Sequence, residues 1–111
     1  MSTSSSSSGS TADLVMIPLA STAAQMLRVT LSGQSIQIAV RQRSTGLYAD
    51  FWLANTRLLS GVLCQDRTWL VRDEAIGLPG DFIFADTQGT QDPTYDGLGS
   101  RYLLLYRAGW T

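Results

Sequence analysis

Short segments in which apolar and polar residues alternate run through most of this chain. In QSIQIAV, residues 34–40, Ile36, Ile38 and Val40 fall on one face, and polar or small residues fall on the other. This alternation is typical of an extended strand, in which successive side chains point to opposite faces. Turn-forming residues separate eight such segments: LVMIPL, MLRVTL, QSIQIAV, LYADFWLA, RLLSGVLC, TWLVR, DFIFAD and RYLLLYR.

The pattern predicts an all-β fold. Short strands joined by brief turns in a chain of 111 residues fit a small antiparallel β-barrel or a β-sandwich of about seven or eight strands. Residues 1–12, MSTSSSSSGSTA, are serine-rich and bury too little apolar surface to offset the entropy of ordering them. We therefore expect a flexible tail over residues 1–12 and a single β domain over residues 13–111.

Several of the predicted strands are apolar on both faces, notably LYADFWLA and RYLLLY. A domain of this size buries only part of its unfolded surface and lacks the interior to enclose both faces of these strands. Contiguous apolar surface that stays exposed marks an interaction site. The sequence therefore predicts that another chain covers part of these strands.

The inventory of side chains argues against catalysis. The chain has no histidine and no lysine, so its serines lack the usual general base. Asp73 and Glu74 are adjacent carboxylates, which point to opposite faces in a strand. The single cysteine, Cys64, cannot form an intramolecular disulfide or a cysteine-rich zinc site. We expect no enzymatic activity, no cofactor and no metal.

Charge patterning also limits the partners. The net charge is −1 and all eight basic residues are arginine, which does not make the basic surface of a duplex DNA binder. Arg41 and Arg43 lie near Tyr48 and Trp52 in sequence, yet arginine beside aromatic rings suits a protein interface as well as a nucleic acid. No apolar run approaches the roughly 20 residues that span a bilayer. We expect a protein made in a cytoplasm, with no membrane and no nucleic-acid contact required.

The acidic stretch DTQGTQDPTYDGLGSR, residues 86–101, has two interpretations. Asp86, Asp92 and Asp96 offer hard oxygen ligands for calcium, but their spacing does not match an EF-hand loop. Aspartates also cap turns through the nearby backbone, and glycines permit positive φ angles. We predict a shaped loop that makes contacts, with calcium binding as the alternative.

Several longer motifs resemble a known family: IPLA, LRVTLSGQ, RQRSTGLYADF, SGVLCQDR and GDFIFADTQGTQDPTYDGLGSRY. In order and spacing they are similar to the phage baseplate plug family of contractile-tail phages of the cyanophage type. The resemblance implies a structural virion protein at the central hub of a tail baseplate, assembled in the host cytoplasm. It implies several symmetric copies that pack against hub and tail tube or spike proteins and help to close the baseplate before contraction. No cofactor or catalytic residue comes with the family.

We predict interface positions at Arg43, Asp92, Tyr95 and Arg101, with the arginines pairing with partner carboxylates and Tyr95 filling a pocket. The alternative function is a small-ligand or carbohydrate-binding β module, which the aromatic residues of LYADFWLA motivate. A pocket lined by Trp52 or Trp69 would favour that alternative.

Overall fold

A computed structural model describes residues 14–110, and the predicted serine-rich tail lies outside this range. The described chain forms seven strands in two antiparallel sheets. The strands are β1 (Leu14–Ile17), β2 (Ala24–Leu31), β3 (Gln34–Arg43), β4 (Gly46–Leu53), β5 (Thr56–Leu63), β6 (Gly80–Asp86) and β7 (Tyr102–Ala108). Single turns of 3-10 helix occur at Glu74–Ile76 and Tyr95–Gly97, and neither is long or apolar enough to cross a membrane. The prediction of an all-β fold is confirmed.

The first sheet is a meander of four strands in the order β2-β3-β4-β5. Two-residue turns join β2 to β3 and β4 to β5. Ser32 and Gly33 have φ angles of 52° and 75°, and Ala54 and Asn55 have φ angles of 49° and 70°. Two successive positive φ angles are typical of the turn whose twist matches that of the flanking strands.

The second sheet has three strands in the order β1-β7-β6, with β7 in the centre. The predicted strand TWLVR is wrong, because this segment lies beside β6 and makes only an isolated bridge, from Trp69 to Ile83. Arg67 and Arg72 on either side of it have φ angles of 54° and 66°. These left-handed conformations prevent an extended ladder from continuing.

The core lies between the two sheets. As predicted, Ile36, Ile38 and Val40 are buried. The ring of Phe51 on β4 lies 4.7 Å from that of Phe82 on β6, so this pair joins the two sheets. The remaining fully buried strand residues come from both sheets and include Leu47, Phe84, Leu104 and Tyr106.

Candidate functional site

Asp86 anchors the long connection between β6 and β7, which we call the β6–β7 loop (residues 87–101). The buried carboxylate of Asp86 accepts two hydrogen bonds of 2.9 Å from the guanidinium of Arg101. It also accepts hydrogen bonds from the backbone N–H groups of Gln88, at 2.8 Å, and Gln91, at 2.9 Å. One side chain therefore holds the end of β6, the first turn of the loop and the residue that leads into β7.

These contacts also fix the charge of Asp86. The hydrogen bonds from Arg101 lower the pKa of the Asp86 carboxyl, and the backbone N–H groups of Gln88 and Gln91 lower it further. Together they outweigh desolvation, which raises the pKa of a buried carboxyl. The carboxylate is therefore ionised throughout the neutral range, which is the state that its four hydrogen bonds require.

A second set of contacts braces the same loop from residues 66 and 67. The Asp66 carboxylate accepts a 2.7 Å hydrogen bond from the backbone N–H of Asp86, and the Asp92 carboxylate accepts one of 3.0 Å from the backbone N–H of Asp66. Arg67 donates to the carbonyl oxygens of Asp86 and Gly89, each at 3.1 Å. Two motifs about 20 residues apart in sequence, QDR and DTQG, thus form one assembly.

The far part of the loop is held by residues at one end of the four-stranded sheet. Gln42 on β3 accepts a 3.0 Å hydrogen bond from the backbone N–H of Tyr95, and Ser21 donates one of 3.0 Å to the carbonyl oxygen of Asp96. A Cβ atom on Gly99 would lie only 2.3 Å from the carbonyl oxygen of Leu19. The loop is fixed at both ends, so it presents a defined shape.

The three aspartates considered as calcium ligands all have other partners. Asp86 is occupied by Arg101 and two backbone N–H groups, Asp92 caps Asp66, and Asp96 accepts from the hydroxyl of Thr94 at 2.6 Å. Within residues 14–110 no group of three or more potential ligand residues is close enough to hold an ion. Their role in this loop is to accept hydrogen bonds that define its shape.

The four predicted interface residues fall into two classes. Arg43 is exposed, and its guanidinium has no hydrogen-bond or ion-pair partner among the described residues, whereas the other seven arginines have partners. Tyr95 is 42% exposed. Asp92 and Arg101 instead take part in the bracing of the loop, Arg101 through a carboxylate of its own chain. A contact of any of the four with another protein stays a prediction.

The outer faces of the two sheets differ in chemistry. On the four-stranded sheet this face includes the ion pair of Arg41 and Asp50, with 2.6 Å between nitrogen and oxygen. On the three-stranded sheet it is mostly apolar, and we call it the apolar outer face; Arg107 lies on the same face beside Leu14, with its guanidinium over the ring of Trp69. Strand register places the apolar members of this face side by side across β1, β7 and β6: Leu14, Met16, Leu103, Leu105, Ile83 and Ala85.

This asymmetry bears on two of the strands predicted to be apolar on both faces. RYLLLYR has this character, because Leu103 and Leu105 lie on the outer face while Leu104 is buried in the core. A sheet with one solvated face normally carries polar residues there. LYADFWLA departs from the prediction, since Asp50 lies on its outer side with Arg41 as its partner.

Two surface cavities within residues 14–110 lack the aromatic residues that the ligand-binding alternative requires. A polar cavity of about 360 Å³ beside the β6–β7 loop is lined by residues such as Gln88 and Ser100. A second, of about 220 Å³, lies beside Met26. Neither includes Trp52 or Trp69, whose ring centroids lie 5.9 Å and 4.2 Å from the guanidinium carbons of Arg57 and Arg107 of the same chain.

Sequence reasoning missed the anchoring role of Asp86. The available signal was the alternation of side chains along β6. Phe82, Phe84 and Asp86 occupy the same face of this strand, and the two phenylalanines point into the core. A carboxylate that continues a buried face needs a cationic or N–H partner. Arg101, the last residue of the loop, supplies one.

Comparison with known proteins identifies the family of this chain. A family model described as "Cyanophage baseplate Pam3 plug gp18" matches residues 14–109, a range that contains all seven described strands, the QDR motif and the β6–β7 loop. A search of curated proteins found no match. Because the match spans nearly the whole chain, the protein belongs to the cyanophage baseplate plug family, whose members are structural proteins of the virion tail baseplate.

Proposed function

We propose that this protein is a plug at the central hub of the baseplate, where several copies pack symmetrically against hub and tube-end proteins. By occupying this position they help to close the baseplate before contraction. The observation that carries the proposal is the apolar outer face of the three-stranded sheet. Contiguous apolar surface on a small protein is typical of a protein contact, and a baseplate offers many neighbours.

The β6–β7 loop supports a role in assembly. A loop already held by Asp86, Asp66 and Arg67 loses little conformational entropy when it docks, so more of the contact energy stabilises the complex. Tyr95, exposed on this loop, is proposed to fill a pocket on a neighbour. Arg43, next to the Gln42 side chain that holds Tyr95, is proposed to pair with a carboxylate of the same neighbour.

Asp92 and Arg101 are proposed to act at the same interface chiefly by keeping the loop in shape. Arg101 contacts Asp86 through Nε and Nη2 and is partly exposed, so the outer side of the guanidinium is available to a partner. The proposed mechanism is assembly, and it requires no bond-making step.

Phage complementation tests the proposal. A phage lacking this gene should produce particles without functional baseplates, and the wild-type gene should restore them. Leu105→Glu places a charge in the apolar outer face and should prevent incorporation of a folded protein. Thr30→Glu, on an exposed position of β2, is the matched control and should restore function. Complete, functional baseplates in the absence of the gene would contradict the proposal.

A further inference from the structure

The strand β1 stands out among the free sheet edges. It pairs with β7 along one side, and no strand of the described chain lies along its other side. Three of its four residues are large apolar side chains that are about half exposed: Leu14 at 49%, Val15 at 48% and Met16 at 55%. An uncovered strand edge of this composition is a template for pairing with another strand.

The other edges of the two sheets are protected. Segment 66–70 lies against β6 and makes backbone hydrogen bonds to Phe84 and Phe82. The edge strand β2 carries Arg28, and the edge strand β5 carries Arg57 and a bulge at Gly61. Charged residues and bulges are the usual means by which edges avoid pairing. Among the described strands, β1 alone has neither a cover nor a charge.

We infer that β1 is a self-association site, at which the β1 strands of two copies pair antiparallel and join their three-stranded sheets into one. The pair is favoured because β1 is uncharged, so two copies meet without like-charge repulsion. A pairing of β1 with β2 or β5 of another copy would instead bring Arg28 or Arg57 against a strand that has no carboxylate to pair with it.

The pleat of the strand restricts the possible registers. Val15 and Ile17 lie opposite Tyr106 and Leu104, which face the core, so Leu14 and Met16 face outward. In a continuous antiparallel sheet, directly opposed residues share a face. A two-fold axis at Val15 therefore places Val15 opposite Val15 of the second copy, and Leu14 opposite its Met16.

The alternative register, with the axis at Met16, matches the exposed surfaces less well. It places half-exposed Val15 opposite Ile17, which is already only 2% exposed. The axis at Val15 instead covers the three exposed side chains with one another. It also joins the apolar outer faces of two copies into a single wider surface. This inference does not depend on the proposed baseplate role, since it concerns copies of the chain alone.

Substitutions that place opposite charges at Val15 test both the pairing and its register. Sedimentation of the full wild-type chain should show reversible dimers with a dissociation constant below about 1 mM. Val15→Glu and Val15→Arg should each weaken self-association at least about tenfold, because like charges then lie directly opposite each other. An equimolar mixture of the two variants should form mixed dimers at least as readily as the wild type at low salt.

The matched control uses Met26, which is 59% exposed on β2. Met26→Glu and Met26→Arg should leave self-association unchanged, alone and mixed. A wild-type chain that stays monomeric at about 1 mM, or a mixture of Val15 variants that stays monomeric, overturns the proposal, whatever else covers β1 in the virion.

A disulfide trap gives a second readout that needs no new charge. Directly opposed Cβ atoms in antiparallel strands are about 4.5–5.5 Å apart, close to disulfide geometry, and the native Cys64 is buried. Under mild oxidation Val15→Cys should form covalent dimers much faster than Met26→Cys. Equal rates for the two variants would overturn the proposal.

Discussion

Arg101 binds Asp86 through two parallel hydrogen bonds of 2.9 Å each, which close the β6–β7 loop at its base. The same carboxylate accepts the N–H groups of Gln88 and Gln91. The pair therefore acts as the organising contact of a connection that contains three of the predicted interface residues, Asp92, Tyr95 and Arg101 itself. Its removal affects the shape of the loop as well as the stability of the fold.

We expect Arg101→Ala to lower the melting temperature by more than Arg43→Ala does. Removal of Arg101 leaves the carboxylate of Asp86 without its cationic partner, and an uncompensated buried charge is strongly destabilising. Arg43 is exposed, and surface substitutions of this kind usually have small effects. Thermal unfolding followed by circular dichroism measures the melting temperatures of the two variants. Equal melting temperatures for the two variants would mean that the Asp86 contact contributes nothing.

The lowered pKa of Asp86 predicts a specific pH dependence. The folded-state pKa lies below the unfolded value of about 3.9, so the stabilising contribution is present above the unfolded pKa and is lost as pH falls through the folded one. Urea unfolding should therefore show a constant contribution near neutral pH and a decline in strongly acidic solution. Asp86→Asn should flatten that decline.

Carbon NMR titration of the Asp86 carboxyl gives a direct check of the same shift. Its resonance should show no inflection near the ordinary value of about 3.9. An inflection there would show that the guanidinium of Arg101 does not hold the carboxylate in its charged form.

Burial of Cys64 predicts a thiol that is protected at alkaline pH. Desolvation raises its pKa to about 12, so the thiolate that reacts with alkylating reagents does not form in the folded protein at pH 8. The raised pKa stabilises the fold below the unfolded value of about 8.5 and ceases to do so as pH rises toward 12. Alkylation at pH 8 should therefore follow unfolding in urea, and rapid labelling of the folded chain would contradict this.

Two glycines with the same backbone angle separate the cost of strain from the cost of a clash. Gly99 and Gly109 both have a φ angle of 83°, but only at Gly99 would a Cβ meet another atom, the carbonyl oxygen of Leu19 at 2.3 Å. Gly109→Ala should cost about 1–2 kcal/mol for the left-handed conformation. Gly99→Ala should cost roughly 1–3 kcal/mol more. Equal losses in chemical denaturation would show that the loop does not pack tightly against Leu19.

The aromatic contact between the sheets predicts a large loss when it is removed. Phe82 lies 4.7 Å from Phe51 and 5.1 Å from Tyr106, measured between ring centroids, and is fully buried. Phe82→Ala should cost about 3–5 kcal/mol of unfolding free energy, and Phe82→Leu less. A double-mutant cycle with Phe51→Ala should give a coupling of about 0.5–1.5 kcal/mol. A coupling of zero would show that the two sheets do not depend on this pair.

The sequence predicted the strands and the core well where local pattern decides them. Alternation in residues 34–40 placed Ile36, Ile38 and Val40 in the core because period two and a single buried face suffice for that inference. The same pattern failed at TWLVR, where the Asp81 carboxylate captures the N–H groups of Val71 and Arg72. A long-range contact of this kind leaves no local periodicity to detect.

The candidate site was predictable only in part for a related reason. Glycines and aspartates indicated a shaped β6–β7 loop, and its aspartates do define its turns. The bracing by Asp66 and Arg67 depends on which strand lies beside which, and this information is absent from the spacing of residues. The apolar outer face was foreseen from RYLLLYR, while its extension onto β1 required the register of β1 with β7.

We propose that this protein works through contacts with neighbouring subunits at the centre of the tail baseplate. An electron-microscopy map of an intact tail, with this chain placed in the density, tests it most directly. We expect density at the baseplate hub, with the apolar outer face and the β6–β7 loop both covered by other subunits. A map in which the chain is absent from the baseplate, or in which both surfaces face solvent, would contradict it.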